Sequence, residues 1–300
     1  MNITAVIPTK NRPADLEKAI NSILMQRTLP QQLVIIDQSE TDESRNRVVS
    51  LCVNASNLLL KYVHDAGIDG LVAAKAASLI WANGDLICFL EDDVVLEPDY
   101  FYEMEAGFLK NPDMLGCCGL VVDVGSMPSG YIFFFNIFHR GIFRDLRVGV
   151  HGSNPTRGGD LIPSPTLSGG LSAWRREVFD VVRFDTGNDF FMLEDIEFST
   201  RAASVLGPRF YINPNARLDH RVSPVNRSRL SDRQRRKIRE YLVFYKKRTQ
   251  WQWATASLAW LLLGLFIESF FQAVRHGSPS LIQNYFLGIL DGVRWRLRPS

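Results

Sequence analysis

The chain has 300 residues, 46% of them hydrophobic and 22% charged, which suits a globular protein with a real core: one large α/β domain or two smaller ones. Its four cysteines, Cys52, Cys88, Cys117 and Cys118, include no pair at metal-ligand spacing and argue against a disulfide scaffold and for a reducing compartment. The formal net charge of +2 is unevenly spread, because residues 221–250 hold eleven Lys and Arg against Asp232 and Glu240, a local net of +9 that leaves −7 for the rest.

Met1 leads directly into a short strand, with no basic n-region and no long apolar run, so no signal peptide is expected. Ile3, Thr4, Ala5, Val6 and Ile7 form that strand, closed by Pro8-Thr9-Lys10-Asn11-Arg12-Pro13. Pro13 suits the first turn of a helix, where its missing N–H costs nothing. Leu16, Ala19, Ile20, Ile23 and Leu24 then recur at helical spacing, an apolar stripe for a sheet. Leu33, Val34, Ile35 and Ile36 make a second buried strand with Asp37 at its end. A carboxylate there can accept hydrogen bonds from a nucleotide, or can simply belong to a helix N-cap region. A third strand is expected over residues 58–63, a turn over 67–70, and a small-residue helix over 71–81 whose one cation, Lys75, faces either a phosphate or base, or solvent.

Residues 86–90 are a short apolar run that ends abruptly in Glu91, Asp92 and Asp93. Such a run reads as a strand buried on both faces. Ligands of open α/β sheets bind beyond the carboxyl ends of the strands, and clustered carboxylates there are best neutralised by Mg2+ or Mn2+. The alternative is a solvated acidic turn. A helix over residues 98–109 and a strand over 115–122 complete an alternation that argues for a parallel, doubly wound sheet.

The texture changes at Gly125. Residues 127–138 are aromatic, with Phe133, Phe134 and Phe135 in a row, and suit a core, an acceptor pocket or a membrane-facing surface. Residues 139–165 read as a long loop rich in Arg, Gly and Pro, of the kind that is often functional. Ser168-Gly169-Gly170 suggests close backbone approach. A helix starts within residues 190–198, carrying Glu194 and Asp195 near its N-terminus; these acids complement the helix dipole or supply a general base. A late strand at residues 210–212 precedes Leu218-Asp219-His220, where His220 is a third metal ligand or a polar loop residue.

Six stretches in this order resemble a family 2 glycosyltransferase, the inverting nucleotide-sugar-dependent group: Val6-Ile7-Pro8-Thr9-Lys10-Asn11-Arg12, Ile35-Ile36-Asp37-Gln38-Ser39, Gly70-Leu71-Val72-Ala73-Ala74-Lys75, Phe89-Leu90-Glu91-Asp92-Asp93, Ser168-Gly169-Gly170 and Glu194-Asp195. The resemblance covers about residues 1–220. It implies a GT-A-type, Rossmann-like α/β fold with a doubly wound, mostly parallel sheet. It also implies a hexosyl- or deoxyhexosyltransferase. By resemblance Thr9, Asn11, Arg12, Asp37, Lys75, Asp92, Gly169, Gly170 and Glu194 bind the nucleotide sugar, Asp93, Asp92 and His220 hold Mn2+ or Mg2+, and Asp195 is the base. Lys75 stands where the family often has Arg. The triplet at 91–93 leaves open which pair binds metal, with Asp93 favoured. A QxxRW motif is absent, which favours addition of a single sugar.

The implied donor is UDP- or dTDP-linked, because Asp37 suits a pyrimidine N–H. The implied acceptor is a glycan or lipid-linked hydroxyl in cell-surface polysaccharide assembly. The expected division is a transferase domain over 1–220 (nucleotide half to 124, acceptor half from 125), a basic helical linker over 221–250 and a hydrophobic tail over 251–300. Residues 251–271 approach the roughly 20 apolar residues of a spanning helix only if Gln252 and Glu268 are tolerated. A membrane-surface or re-entrant hairpin beside a basic platform is expected, against a true span or a soluble helix pair. The implied location is the cytoplasmic face of the inner or plasma membrane, with an anionic lipid surface and no nucleic acid as partner. Other readings are a nucleotidyltransferase, disfavoured because the first strand runs into no glycine-rich loop, and a non-catalytic membrane or nucleic-acid binding module built on the basic block.

Overall fold

A computed structural model describes residues 1–53, 55–122, 128–188, 190–226, 228–248 and 252–296. The expectations placed on Gly125, Met127, Gln250 and Trp251 lie outside the described residues. The first half runs β1 (Ile3–Thr9), α1 (Pro13–Leu24), β2 (Gln32–Asp37), α2 (Glu43–Cys52), β3 (Leu59–His64), α3 (Leu71–Ser78), β4 (Leu86–Leu90), β5 (Val94–Leu96), α4 (Tyr100–Lys110) and β6 (Gly116–Val121). The second runs α5 (Ser129–Phe138), α6 (Arg147–Ser153), β7 (Ile162–Pro163), β8 (Leu171–Arg175), α7 (Val178–Val181), α8 (Glu194–Leu206), β9 (Phe210–His220), α9 (Leu230–Lys246), α10 (Ala254–His276) and α11 (Ser280–Arg294).

The described strands form one sheet in the order β3-β2-β1-β4-β8-β6-β9-β5, with β7 on β9. Strands β3, β2, β1 and β4 are mutually parallel, and their apolar runs explain it: β1, β2 and β4 are buried residue by residue. The stripe on α1 packs against them, with Leu16, Ala19, Ile20 and Ile23 buried. Each such Leu or Ile contributes roughly 1.5–3 kcal/mol. Beyond β4 the sheet turns mixed, because β8 runs antiparallel to both β4 and β6. All four cysteines are buried and free.

Three pairings carry chain ends towards one place. Thr9 lies beside Asp37 where β1 and β2 end. Leu90 opposes Leu171, so Glu91 N–H donates to Gly170 O at 2.9 Å. Val94 opposes His220, which brings the end of β9 back to the acidic triplet. The sequence signal for β9 stopped at Ile212, because Pro214 reads as a breaker. Between Cys118 and Leu120 the β6 register shifts from Ile212 to Arg217, and Pro214 sits in that bulge, where no ladder N–H is needed.

The stretch read as a loop over 139–165 is partly ordered: it holds a 3-10 turn at Gly141–Phe143, then α6 and β7. The aromatic stretch divides. Phe135 and Phe138 on α5 are buried, whereas Tyr131 and Phe133 are exposed. The basic block is not a free linker. Its helix α9 lies against α10 and α11, and Ile238, Tyr241, Leu242 and Phe244 share a second core with Leu193 and Ile196 beside α8 and Leu261 and Leu265 on α10.

Candidate active site

Past the end of β4 the chain turns at Asp92 and Asp93, so that Glu91 and Asp93 reach His220 while Asp92 reaches Thr9, and Arg12 Nη1 lies near both aspartates, 3.0 Å from Asp92 Oδ1 and 3.7 Å from Asp93 Oδ2. His220 Nε2 lies 2.8 Å from Glu91 Oε2 and 3.1 Å from Asp93 Oδ1. Ser223 N–H donates to Asp93 Oδ2 at 2.8 Å. These contacts raise His220 to about 10, through its hydrogen bonds to Asp93 and then Glu91. Burial opposes ionisation of Asp93, yet the hydrogen bonds from His220 and Ser223 hold its carboxyl below the usual carboxylate range.

Glu91, Asp93 and His220 offer two carboxylate oxygens and one imidazole nitrogen, all within 4.8 Å of one another. That donor set fits a divalent cation, and the nitrogen suits Mn2+ better than Mg2+, which favours all-oxygen shells. Metal entry requires the imidazolium to release its proton. Asp92 lies outside this group. It is buried, accepts from Thr9 Oγ1 at 2.7 Å and from Arg12 Nη1 at 3.0 Å, and burial pushes it up to about 6 despite both partners. Its geometry fixes Thr9 and Arg12 to the strand ends rather than presenting a metal ligand. Glu91 takes the place expected for it.

The rest of the expected nucleotide set is divided. Arg12 also donates to Val225 O at 2.9 Å, joining the first loop to the segment after β9. Asn11 adopts a left-handed φ of 55°, its N–H donating to Ser39 Oγ and its Oδ1 accepting from Glu40 N–H. Asp37 is fully buried and accepts from Tyr62 OH at 2.6 Å and Ser39 N–H at 2.9 Å. These groups line the ends of β1 and β2.

Lys75 is elsewhere. It is 2% exposed, and its ammonium donates to Glu194 Oε1 at 2.6 Å and Gly169 O at 2.9 Å. A small-residue helix packed close to the sheet directs the side chain inward, where a buried ammonium needs an internal anion, so any contact of Lys75 with a nucleotide would compete with this pair. Glu194, expected at the donor, is that anion. Burial raises its carboxyl and Lys75 opposes the rise. A β-carbon on Gly169 would collide with Glu194 Oε1, and one on Gly170 with Glu91 Cγ, so both glycines are required by close approach.

Asp195 stays partly accessible. Its Oδ2 accepts from Arg147 Nη1 at 2.5 Å and Gly169 N–H at 3.3 Å, and its Oδ1 from its neighbour Ile196 N–H at 2.7 Å. Arg147 is buried. It also forks onto Asp145 at 2.9 and 2.7 Å and donates to Leu167 O at 2.9 Å. Desolvation opposes its charge, yet Asp195 and Asp145 hold its guanidinium well above the ordinary range. The turn Ser168-Gly169-Gly170 thus separates two acidic groups: Glu91 and Asp93 with His220 on one side, Asp195 with Arg147 on the other.

Two residues that orient this second group gave no clear signal in sequence. Arg147 sits in the stretch read as a loop. Glu240, the acid buried within α9, accepts from the N–H groups of Phe191, Met192 and Leu193 at 3.2, 2.8 and 2.9 Å, just ahead of α8. Burial raises its carboxyl, and those donors oppose the rise. Lys247, at the end of α9, pairs with Glu197 on α8 and with Asp185. Glu240→Gln leaves one acceptor for three amides and is expected to cost about 1–3 kcal/mol. Thermal unfolding gives the loss, and faster hydrogen exchange at residues 191–193 locates it.

The family model described as glycosyl transferase family 2 matches residues 4–182. A validoxylamine A glucosyltransferase of Streptomyces hygroscopicus subsp. limoneus is 31% identical over 122 residues, 39% of this chain and 26% of that protein. The chain therefore matches about a quarter of that relative's length. The mannosyltransferase PcManGT from Pyrobaculum calidifontis, solved in complex with GDP-Man and Mn2+, superposes with a TM-score of 0.63 at 15% identity, covering 98% of this chain and 87% of that one. S. aureus TarS 1-349 in complex with UDP-GlcNAc gives a TM-score of 0.59 at 15% identity, covering 96% and 82%. At such identities the two structures speak for the fold, a GT-A-like mixed α/β architecture.

Proposed function

Because the chain belongs to glycosyl transferase family 2, with residues 4–182 matching its model, we propose that it transfers a sugar from a nucleotide-diphosphate donor to a hydroxyl of a glycan or lipid-linked acceptor, with inversion at the anomeric carbon. The observation that carries this reading is the pair of acidic groups on either side of the Ser168-Gly169-Gly170 turn. Sugar transfer needs two charges handled at once: the anion growing on the diphosphate and the proton leaving the acceptor hydroxyl.

Glu91, Asp93 and His220 would hold Mn2+ or Mg2+, which supplies Lewis-acid neutralisation of the departing diphosphate. Thr9, Arg12 and Asp92 fix the floor of the donor cleft. Asp37 would accept the N–H of a pyrimidine at the end of β2, which is our reason for favouring UDP or dTDP. Asp195 takes the acceptor proton, held in one orientation by Arg147 and Gly169. The proposed inversion is a single displacement: Glu194, the other carboxylate beside Gly169, is buried against Lys75 and would not serve as a nucleophile. The tail favours a lipid-linked acceptor of cell-surface polysaccharide assembly.

The test is calorimetric binding of UDP, dTDP, GDP and CDP, each with and without Mn2+, to wild type and Asp93→Asn. Metal-dependent binding of one nucleotide, weakened at least ~10-fold in Asp93→Asn by loss of a charged ligand, is expected. Equal binding with and without metal, or in both proteins, would remove the metal assignment.

A further inference from the structure

We propose that α10 and α11 form a hairpin that lies in the plane of an anionic phospholipid bilayer, docking by one apolar face and a rim of cations, and does not span it. The proposal is independent of the chemistry at Asp93 and Asp195.

Helix α10 is the described helix long and apolar enough to cross a membrane, with a mean hydropathy of 1.7 over its best window, and a third of that window is buried within the protein. Its two faces differ. The inner face, with Leu258, Leu261, Leu265 and Ala273, is buried, and it is fastened by polar contacts. Lys237 pairs with Glu268 at 3.0 Å, and Gln234 donates to Ser269 Oγ at 2.7 Å. Tyr285 OH on α11 donates to Leu262 O at 2.9 Å, and Arg235 pairs with Asp291 at 2.6 Å. Moving α10 into a spanning position would strip Glu268 of its partner inside hydrocarbon, where a polar group must be satisfied internally.

The outer face carries Trp260, Leu263, Phe270, Phe271 and Val274, all at least 43% exposed. It continues onto α11 through Phe266 and Phe286, 6.2 Å apart, and onto α5 through the stack of Phe138 on Trp260 at 5.0 Å. Exposed apolar surface of this extent marks an interaction site. Charge selects the occupant. The two acids of the hairpin, Glu268 and Asp291, are both paired with α9, whereas Arg275 and Arg294 near the helix ends are exposed. What faces outward is therefore apolar and cationic. A bilayer with anionic headgroups complements that pattern. A second copy of the chain would bring like charges together.

The test uses the full chain. Its native cysteines are buried, so Leu263→Cys and Val274→Cys each accept a single nitroxide. In vesicles containing phosphatidylglycerol, collision with oxygen against a nickel chelate should place both labels at the same shallow depth. Eleven helical residues separate them, so a spanning helix would place them ~16 Å apart in depth. Flotation should show binding to these vesicles, with much weaker binding to pure phosphatidylcholine. The Phe270→Ser/Phe271→Ser variant changes exposed side chains, so its thermal unfolding should match wild type while vesicle affinity falls at least ~10-fold. Depths differing by the spanning distance, unchanged affinity in the double variant, or dimerisation by sedimentation without vesicle binding would each overturn the proposal.

Discussion

Asp195→Asn is expected to lower sugar transfer by about 10²–10⁴-fold while leaving Mn2+-dependent nucleotide binding at the wild-type level. The substitution preserves shape and removes the basic oxygen. Asn can still accept from Arg147 and Gly169 through its carbonyl, which leaves its amide group against Ile196 N–H, a local repulsion. The proposed metal group of Glu91, Asp93 and His220 lies across the Ser168-Gly169-Gly170 turn from that amide. Steady-state transfer and calorimetry on the same protein separate the two effects. Transfer within a few-fold of wild type would remove Asp195 as the base, and a parallel loss of nucleotide affinity would mean that the turn at Gly169 had moved.

The second large effect is on stability. Arg147→Met deletes a buried guanidinium that serves Asp145, Asp195 and the carbonyl of Leu167 together. Breaking a buried ion pair from one side typically costs 3–5 kcal/mol, because the remaining charge has neither water nor partner. Burial opposes ionisation of Asp145, yet Arg147 holds its carboxyl below the usual range. The pH sign follows. The folded value lies below the unfolded value of about 3.9, so this part of the stability is fully present above the unfolded value and disappears as pH falls through the folded one. Urea unfolding of wild type and Arg147→Met should therefore diverge at neutral pH and converge as pH falls below the ordinary carboxylate range. A constant gap would mean that lost packing, not charge, dominates. Arg147→Lys restores one charge without the fork and should fall between the two.

Much of this arrangement was legible in the residues themselves. Unbroken apolar runs announced β1, β2 and β4, and the helical stripe on α1 announced the layer beneath them, because both patterns are local consequences of burial. The acidic end of β4 was equally plain. Its internal division was not, because the chain leaves extended geometry after Leu90 and turns at Asp92 and Asp93, so no period assigns the three side chains to sides. The pairing of Lys75 was not legible, because a lone cation on a short helix has no local sign of direction; only packing against Glu194 and Gly169 turns it inward. Arg147 and Glu240 gave no usable signal for the same reason. Each acts through partners 48 to 49 positions away, Asp195 and the amides before α8, and nothing in a Gly- and Arg-rich stretch or a basic helix marks which charge will be buried.

The carboxylate of Glu240 has a practical corollary for anyone shortening the gene. A fragment stopping after β9 retains every acid of the two groups at Ser168-Gly169-Gly170 and looks complete by motif. It would nevertheless lose the acceptor for three backbone amides ahead of α8, the Lys247 clamp on Glu197 and the apolar cover over Leu193 and Ile196. Solubility gained by trimming the greasy end would come with a loosened α8, and an inactive fragment would say nothing about lipid. Point changes on the outward side of α10 are the cleaner tool, because they leave the brace intact.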